Sequence, residues 1–281
     1  MKRHPVLVIH GGTGSRPTRQ RLKAIRRSLR AICQESYEHL QSHSALESVA
    51  FAVRLLEDNP LFNAGTGSVL QQDGKVRMSA SIMDGERLRF AAALNLERVR
   101  NPVLVALALF DEPDRILAGP EATRFARSRG WPSWNPVTPQ RLRQWTQRRR
   151  ETYGTVGAVA LDHAGRLAAA TSTGGKGFER PGRVSDSGLP VGNYANTQMA
   201  ISCTGLGEEI IEEGLAIRMA QRVLDGLSLR RAVAMTFREL TRRRRHIGAI
   251  SLDRDGRFTW ATTLPMLFAL AQTPTRPIES F

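Results

Sequence analysis

Gly154-Thr155-Val156-Gly157-Ala158-Val159-Ala160-Leu161 is followed by Asp162-His163-Ala164-Gly165-Arg166 and then by Leu167-Ala168-Ala169-Ala170-Thr171-Ser172-Thr173-Gly174-Gly175. Two β-compatible runs joined by a polar, Gly-containing connection predict a β-hairpin. A threonine directly after a glycine opens the first strand. A cut at the Gly154–Thr155 bond would give Thr155 a free α-amine beside its own hydroxyl. Such an amine has a pKa of roughly 7.7–8.0, so near neutrality much of it is unprotonated. It can then act as base for the hydroxyl nucleophile without any histidine.

The 281 residues suffice for one large α/β domain or two small ones, and 41% hydrophobic content argues against global disorder. No apolar run reaches about 18 residues, so no membrane span is indicated. Val6–Ile9 is too short for a signal-peptide core and reads as a first strand. Cys33 falls on the inner face of a helical pattern and Cys203 inside a strand, so two reduced, buried thiols and a cytoplasmic protein are expected. Net charge is +15, from 41 basic and 26 acidic residues. The arginines are spread along most helical segments without interleaved aromatics, so specific nucleic-acid binding is not expected.

His10-Gly11-Gly12-Thr13-Gly14 ends the first strand and lacks the Lys-Ser/Thr of a phosphate loop. Apolar Leu22, Ile25, Leu29, Ile32 and Cys33 at three- and four-residue steps predict a helix over about 18–42. Ser44 with Glu47 has capping-box spacing and starts another, which Pro60 ends. Asp73-Gly74 marks a second hairpin, and Met78–Met83 a strand. Asn101-Pro102 caps an apolar helix. A helix over 120–129 ends at Gly130. Residues 131–153, with several prolines and Arg148-Arg149-Arg150, look unlike core and suggest a mobile connection. Strand 200–204, a helix from Glu208 and a third hairpin over 247–263 follow. Hairpins require antiparallel pairing, so the class expected is α+β, antiparallel sheets covered by helices.

The run Gly154–Gly174, then Pro181-Gly182-Arg183-Val184-Ser185-Asp186-Ser187, then Ser202-Cys203-Thr204-Gly205-Leu206-Gly207-Glu208, resembles the plant-type L-asparaginase / isoaspartyl peptidase family of N-terminal-nucleophile hydrolases. Leu61–Ser68, Ile82–Gly85 and Val8–Gly12 extend the likeness, which fades after about Gly256. It implies an αββα sandwich of two stacked antiparallel sheets between helical layers. It also implies one domain that cuts itself into an α chain (1–154) and a β chain (155–281), with an (αβ)₂ assembly.

By that resemblance Thr155 is the nucleophile and attacks either L-asparagine or a β-aspartyl dipeptide. Thr173 positions or polarises it, and Thr204 with the Gly205 N–H holds the oxyanion. Asn63 either supports the nucleophile or simply occupies a left-handed turn. Arg183 and Asp186 suit the carboxylate and ammonium of a free amino-acid end, with Gly205 and Gly207 lending room; the other reading is a surface ion pair. No cofactor is required. A structural sodium ion on carbonyls of Leu56, Glu57, Asn59, Phe62, Ala64 and Thr66 is implied by resemblance alone. Ser79, Ser185, Gly188 and residues 264–267 depart from the family pattern. Two alternatives stay open: a taspase-like threonine endopeptidase, and a catalytically silent basic binding protein on the same fold.

Overall fold

The computed structural model describes residues 4–148 and 154–281. The elements run β1 (Val6–Gly14), α1 (Arg19–Leu40), α2 (Ala45–Asp58), β2 (Met78–Asp84), β3 (Arg89–Leu96), α3 (Pro102–Ala108), β4 (Ile116–Ala118), α4 (Gly119–Ser128) and α5 (Pro139–Thr146). After the Gly154 junction come β5 (Val156–Leu161), β6 (Leu167–Thr173), β7 (Asn193–Ala195), β8 (Met199–Gly205), α6 (Gly207–Glu212), α7 (Leu215–Leu224), α8 (Leu229–Arg242), β9 (Ile247–Asp253), β10 (Phe258–Thr262), β11 (Met266–Gln272) and β12 (Pro277–Glu279).

β5 and β6 form the expected hairpin, with Val156 opposite Ser172 and Leu161 opposite Leu167. Asp162 fixes its turn: its carboxylate accepts from the Arg166 backbone N–H at 2.9 Å and also from Ala45 N–H, tying the turn to the start of α2. The hairpin lies inside an eight-stranded sheet ordered β12-β11-β1-β5-β6-β2-β3-β4; β10-β9-β8-β7 form a second sheet. Every pairing is antiparallel except β3 with β4, which is parallel.

Side chains alternate faces along a strand, and that parity sets the layers. Val6, Val8, Val159, Leu161, Leu167 and Ala169 meet Ala200, Ile250 and Leu252 between the sheets. The other parity, including Ala158, Ala160, Ala168 and Ala170, packs on Val49, Val53 and Leu56 of α2 and on α1 and α3. Alanines there let α2 sit close to the sheet. Met199, Ile201, Cys203, Ile247 and Ala249 pack outward against α7 and α8. The result is the αββα sandwich. Each fully buried aliphatic side chain contributes about 1.5–3 kcal/mol through removal from water.

The capping box at Ser44 and Glu47 forms as the spacing predicts. Four local expectations are corrected. β1 does not stop at His10: it runs to Gly14 through an irregular register between His10 and Thr13, because β11 continues to pair with it. Asp73-Gly74 makes a turn without flanking strands; Trp145 Nε1 donates to the Gln71 carbonyl at 2.9 Å, and Leu70 and Val76 pack under Trp145. Asn101 holds the N-cap position of α3 with Pro102 in its first turn, but its side chain makes no capping bond: its amide donates to Asp58 at 3.1 Å, and Glu57 Oε1 accepts from the Val103 N–H at 3.0 Å instead. Within the stretch read as a connection, 139–146 is helical and Arg141 is buried, its Nε donating to the Gly67 carbonyl. Residues 149–153 of that stretch lie outside the described residues.

At Gly157 the two sheets approach too closely for a side chain. Its added Cβ would overlap Ser202 Oγ and come within 2.6 Å of His10 Nε2. Both neighbours are fixed by strands on opposite sheets, so Gly157→Ala is expected to cost roughly 2–3 kcal/mol by overpacking. Denaturant unfolding checks this; an unchanged midpoint contradicts it.

Candidate active site

Parity also places the reactive groups. Thr155 immediately precedes β5 and shares the inter-sheet face with Gly157, Val159 and Leu161. Thr171 and Thr173 of β6 and Ser202 and Thr204 of β8 face the same layer. Thr155 Oγ1 donates to Thr173 Oγ1 at 3.3 Å. Thr173 Oγ1 also accepts from the Gly175 N–H at 3.1 Å. Thr155, Thr173 and Thr204 are all buried. The nucleophile candidate therefore stands at the rim of the inter-sheet layer, in a low-dielectric setting with a second hydroxyl aimed at it.

Thr204 Oγ1 is fully enclosed and has no hydrogen-bond partner among the described residues. A buried hydroxyl left unpaired costs free energy. It lies near Thr13 and Leu267, because a Cβ on Gly248 would be 3.3 Å from each of the three side chains. Leu267 belongs to the departing segment 264–267. Thr13 Oγ1 donates to the Met266 carbonyl at 2.6 Å, so β1 and the start of β11 wall this end of the site. Gly205 has a φ of +132°, and a side chain there would strike the His246 carbonyl.

On the other flank, a Cβ on Gly154 would lie 2.8 Å from Asn63 Cβ, and one on Gly12 would lie 2.9 Å from Gly154 Cα. Gly12, at φ +105°, thus lets β1 pass directly beneath the junction. The Asn63 amide donates to the Gly175 carbonyl at 2.7 Å and accepts from the Val69 N–H at 2.9 Å. Asn63 therefore braces the glycine loop after Thr173, and both ends of its amide are engaged there rather than on the Thr155 hydroxyl.

Arg183, Asp186 and Gly207 come together, since a Cβ on Gly207 would meet Arg183 Nη2 at 2.7 Å and Asp186 Oδ1 at 2.8 Å. Arg183 and Asp186 are not a surface pair with each other. Arg183 forms a two-point contact with Glu208, Nε to Oε1 at 2.8 Å and Nη2 to Oε2 at 2.9 Å. That bond, with Lys176 added, holds the Glu208 carboxyl down at about 2. Asp186 is buried, and burial pushes its pKa up to about 6, against the pull of the Ser185 hydroxyl and Arg183. Ser185, one of the departures, donates to Asp186 Oδ1 at 2.9 Å; Oδ2 has no partner. Ser79, another, accepts from the Asn95 N–H at 3.1 Å beside the β2–β3 irregularity. Gly188 leaves space that Leu94 fills.

Sequence reading singled out neither His10 nor Ser202 and Thr171 as site residues. His10 Nε2 bonds Ser202 Oγ at 2.9 Å, and Ser202 Oγ bonds Thr171 Oγ1 at 2.7 Å. Burial drives His10 down to about 3, against a hydrogen bond to the Thr155 backbone, so its imidazole is neutral between the sheets. The only sequence signal was its position before Gly11-Gly12; the partnership spans 192 residues.

A profile of the asparaginase family matches residues 3–153 and 146–277. The chain belongs to the asparaginase family. It is 46% identical to an isoaspartyl peptidase/L-asparaginase of Nostoc, over 94% of this chain and 91% of that protein. It is 37% identical to a plant-type L-asparaginase of Pyrococcus furiosus, over 84% and 85%. It is 36% identical to an isoaspartyl peptidase/L-asparaginase of Bos taurus, over 88% and 86%. The match runs past Gly256, where the motifs had seemed to fade, because β9, β10 and β11 complete both sheets.

The buried Asp186 carries a testable cost. Its native pKa lies above the ordinary 3.8, so the unfolded chain releases this proton first as pH rises. Stability is lost between about pH 4 and 6 and stays lost above. Asp186→Asn is expected to be more stable than wild type at pH 8 by about 1–3 kcal/mol, the gain vanishing near pH 4. Urea titrations at both pH values check it; equal stability at pH 8 contradicts it.

Proposed function

We propose that this chain is an amidohydrolase of the N-terminal-threonine type that divides between Gly154 and Thr155 and then hydrolyses L-asparagine and β-aspartyl dipeptides. The observation that carries this reading is the buried Thr155–Thr173 hydroxyl pair at the inter-sheet rim, next to a glycine that leaves no side chain on the bond to be broken. For self-cleavage, Thr155 Oγ attacks the Gly154 carbonyl, the Thr155 nitrogen departs as the new α-amine, and water hydrolyses the resulting ester. The products are an α chain of 1–154 and a β chain of 155–281. In turnover, the freed amine takes the hydroxyl proton as Oγ attacks the side-chain amide carbon, and returns it to the leaving nitrogen. The unpaired Thr204 hydroxyl and the Gly205 N–H are the oxyanion donors. Water then releases aspartate. Arg183 takes the substrate carboxylate and Asp186 its ammonium, each supported from behind by Glu208 and Ser185.

A clamp of half-buried Arg183 and buried Asp186 favours a small zwitterion over the loop of a folded protein, which sets the endopeptidase reading second. The loop 56–67 suits a monovalent cation: Cβ atoms added at Gly65 and Gly67 would run into the carbonyls of Glu57 and Phe62, so these oxygens point inward. With Leu56, Asn59, Ala64 and Thr66 they would hold a sodium ion that stiffens the chain before Asn63. Two free, buried cysteines fit a cytoplasmic setting, and no described helix is long and apolar enough to cross a membrane. Pairing of two αβ units is part of the proposal.

Thr155→Ala is expected to remain one uncut chain and to lose hydrolysis of both substrates by at least about 10⁴-fold in kcat. Thr204→Val, which removes a single oxyanion donor, is expected to lose about 10²–10³-fold. Ammonia and aspartate release measure both. Wild-type turnover by Thr155→Ala contradicts the assignment.

A further inference from the structure

In the reading above, the α-amine of Thr155 returns a proton to the departing nitrogen. That nitrogen must therefore come within about 2.6–3.2 Å of it. In the continuous chain the same amine is bonded to Gly154, so the departing group belongs on the side of Thr155 where Gly154 sits. A cavity of about 380 Å³ borders Gly154 and Asn63. Arg16, Arg21, Arg141 and Lys176 line it, and no Asp or Glu does among the described residues. Thr18 also lines it. Thr18 is the N-cap of α1, a 22-residue helix with no acidic residue in its first turn, so the positive end of its dipole faces the cavity with no carboxylate of its own turn against it.

The four cations are not equivalent. Arg141 is buried and committed to the Gly67 carbonyl at 2.5 Å. Lys176 Nζ lies 2.7 Å from Glu208 Oε1, which joins the cavity to the Arg183 clamp across a single carboxylate. Arg16 is exposed and has no ion-pair partner among the described residues.

We propose that this cavity is the leaving-group subsite and that it selects β-aspartyl peptides whose departing residue is acidic. A departing glutamate or aspartate brings two carboxylates to a positive cavity. A departing lysine brings a cation against it, and ammonia from asparagine leaves it unused. The proposal rests on the hydrolase reading but not the reverse.

The test uses the purified wild-type protein with β-aspartyl-glutamate, β-aspartyl-leucine, β-aspartyl-lysine and asparagine, comparing kcat/KM within one preparation at low and high salt. The expected order is glutamate over leucine by about five- to tenfold, with lysine last. The preference should shrink at high salt. Arg16→Gln should bring the glutamate-to-leucine ratio within twofold, and Arg16→Lys should restore it. Equal kcat/KM for the three dipeptides, with asparagine still hydrolysed, overturns the subsite and leaves the hydrolase reading standing. No hydrolysis of any substrate overturns both.

Discussion

The whole arrangement depends on one alternation. Residues 155, 157, 159 and 161 point between the two sheets, and 156, 158 and 160 point toward α1 and α2. The apolar members of the first set bond the sheets, so the register cannot slip by one without turning Val159 and Leu161 away from the inter-sheet core. Thr155 inherits its direction from that constraint. A residue at the strand's first step has no independent need to face Thr173; the packing of Val159 and Leu161 further along the strand decides it.

Several polar groups inside that layer are bound to each other. His10, Ser202 and Thr171 are linked by hydrogen bonds that stitch β1, β8 and β6 together. Thr204 Oγ1 and Asp186 Oδ2 are buried and unpaired. Leaving a buried polar atom unpaired is unfavourable. Groups held this way need little reorganisation when a substrate supplies the missing partner, which is the physical basis of preorganised catalysis. The contrast with Asn63 is informative: its amide is already satisfied by Gly175 and Val69, so it shapes the loop after Thr173 and its chemistry is local.

Much of this was legible because it is written in local chemistry. Alternation and the Asp162–Gly165 turn announce the β5–β6 hairpin, and Ser44 with Glu47 announces α2. The two-sheet architecture came from ordered motifs rather than from periodicity, which cannot tell which strands pair. What stayed hidden is long-range. Nothing near Arg141 signals burial in a segment rich in proline and arginine; Trp145 packing on Leu70 and Val76 supplies it from 70 residues away. Nothing near Arg183 shows that its partner is Glu208, 25 residues further on. Asn101 holds the cap position of α3, but the acceptor for the Val103 N–H comes from Glu57 of α2, while the Asn101 amide donates to Asp58.

The central claim is that a hydroxyl and an amine of the same residue do the chemistry, and that the amine exists only after the chain opens at Gly154. Intact-mass measurement with N-terminal sequencing of the purified wild-type protein tests this most directly. Two polypeptides, one beginning with Thr155, are the result expected. A chain that stays whole on prolonged incubation while hydrolysing asparagine, or one that opens at any other bond, would contradict it.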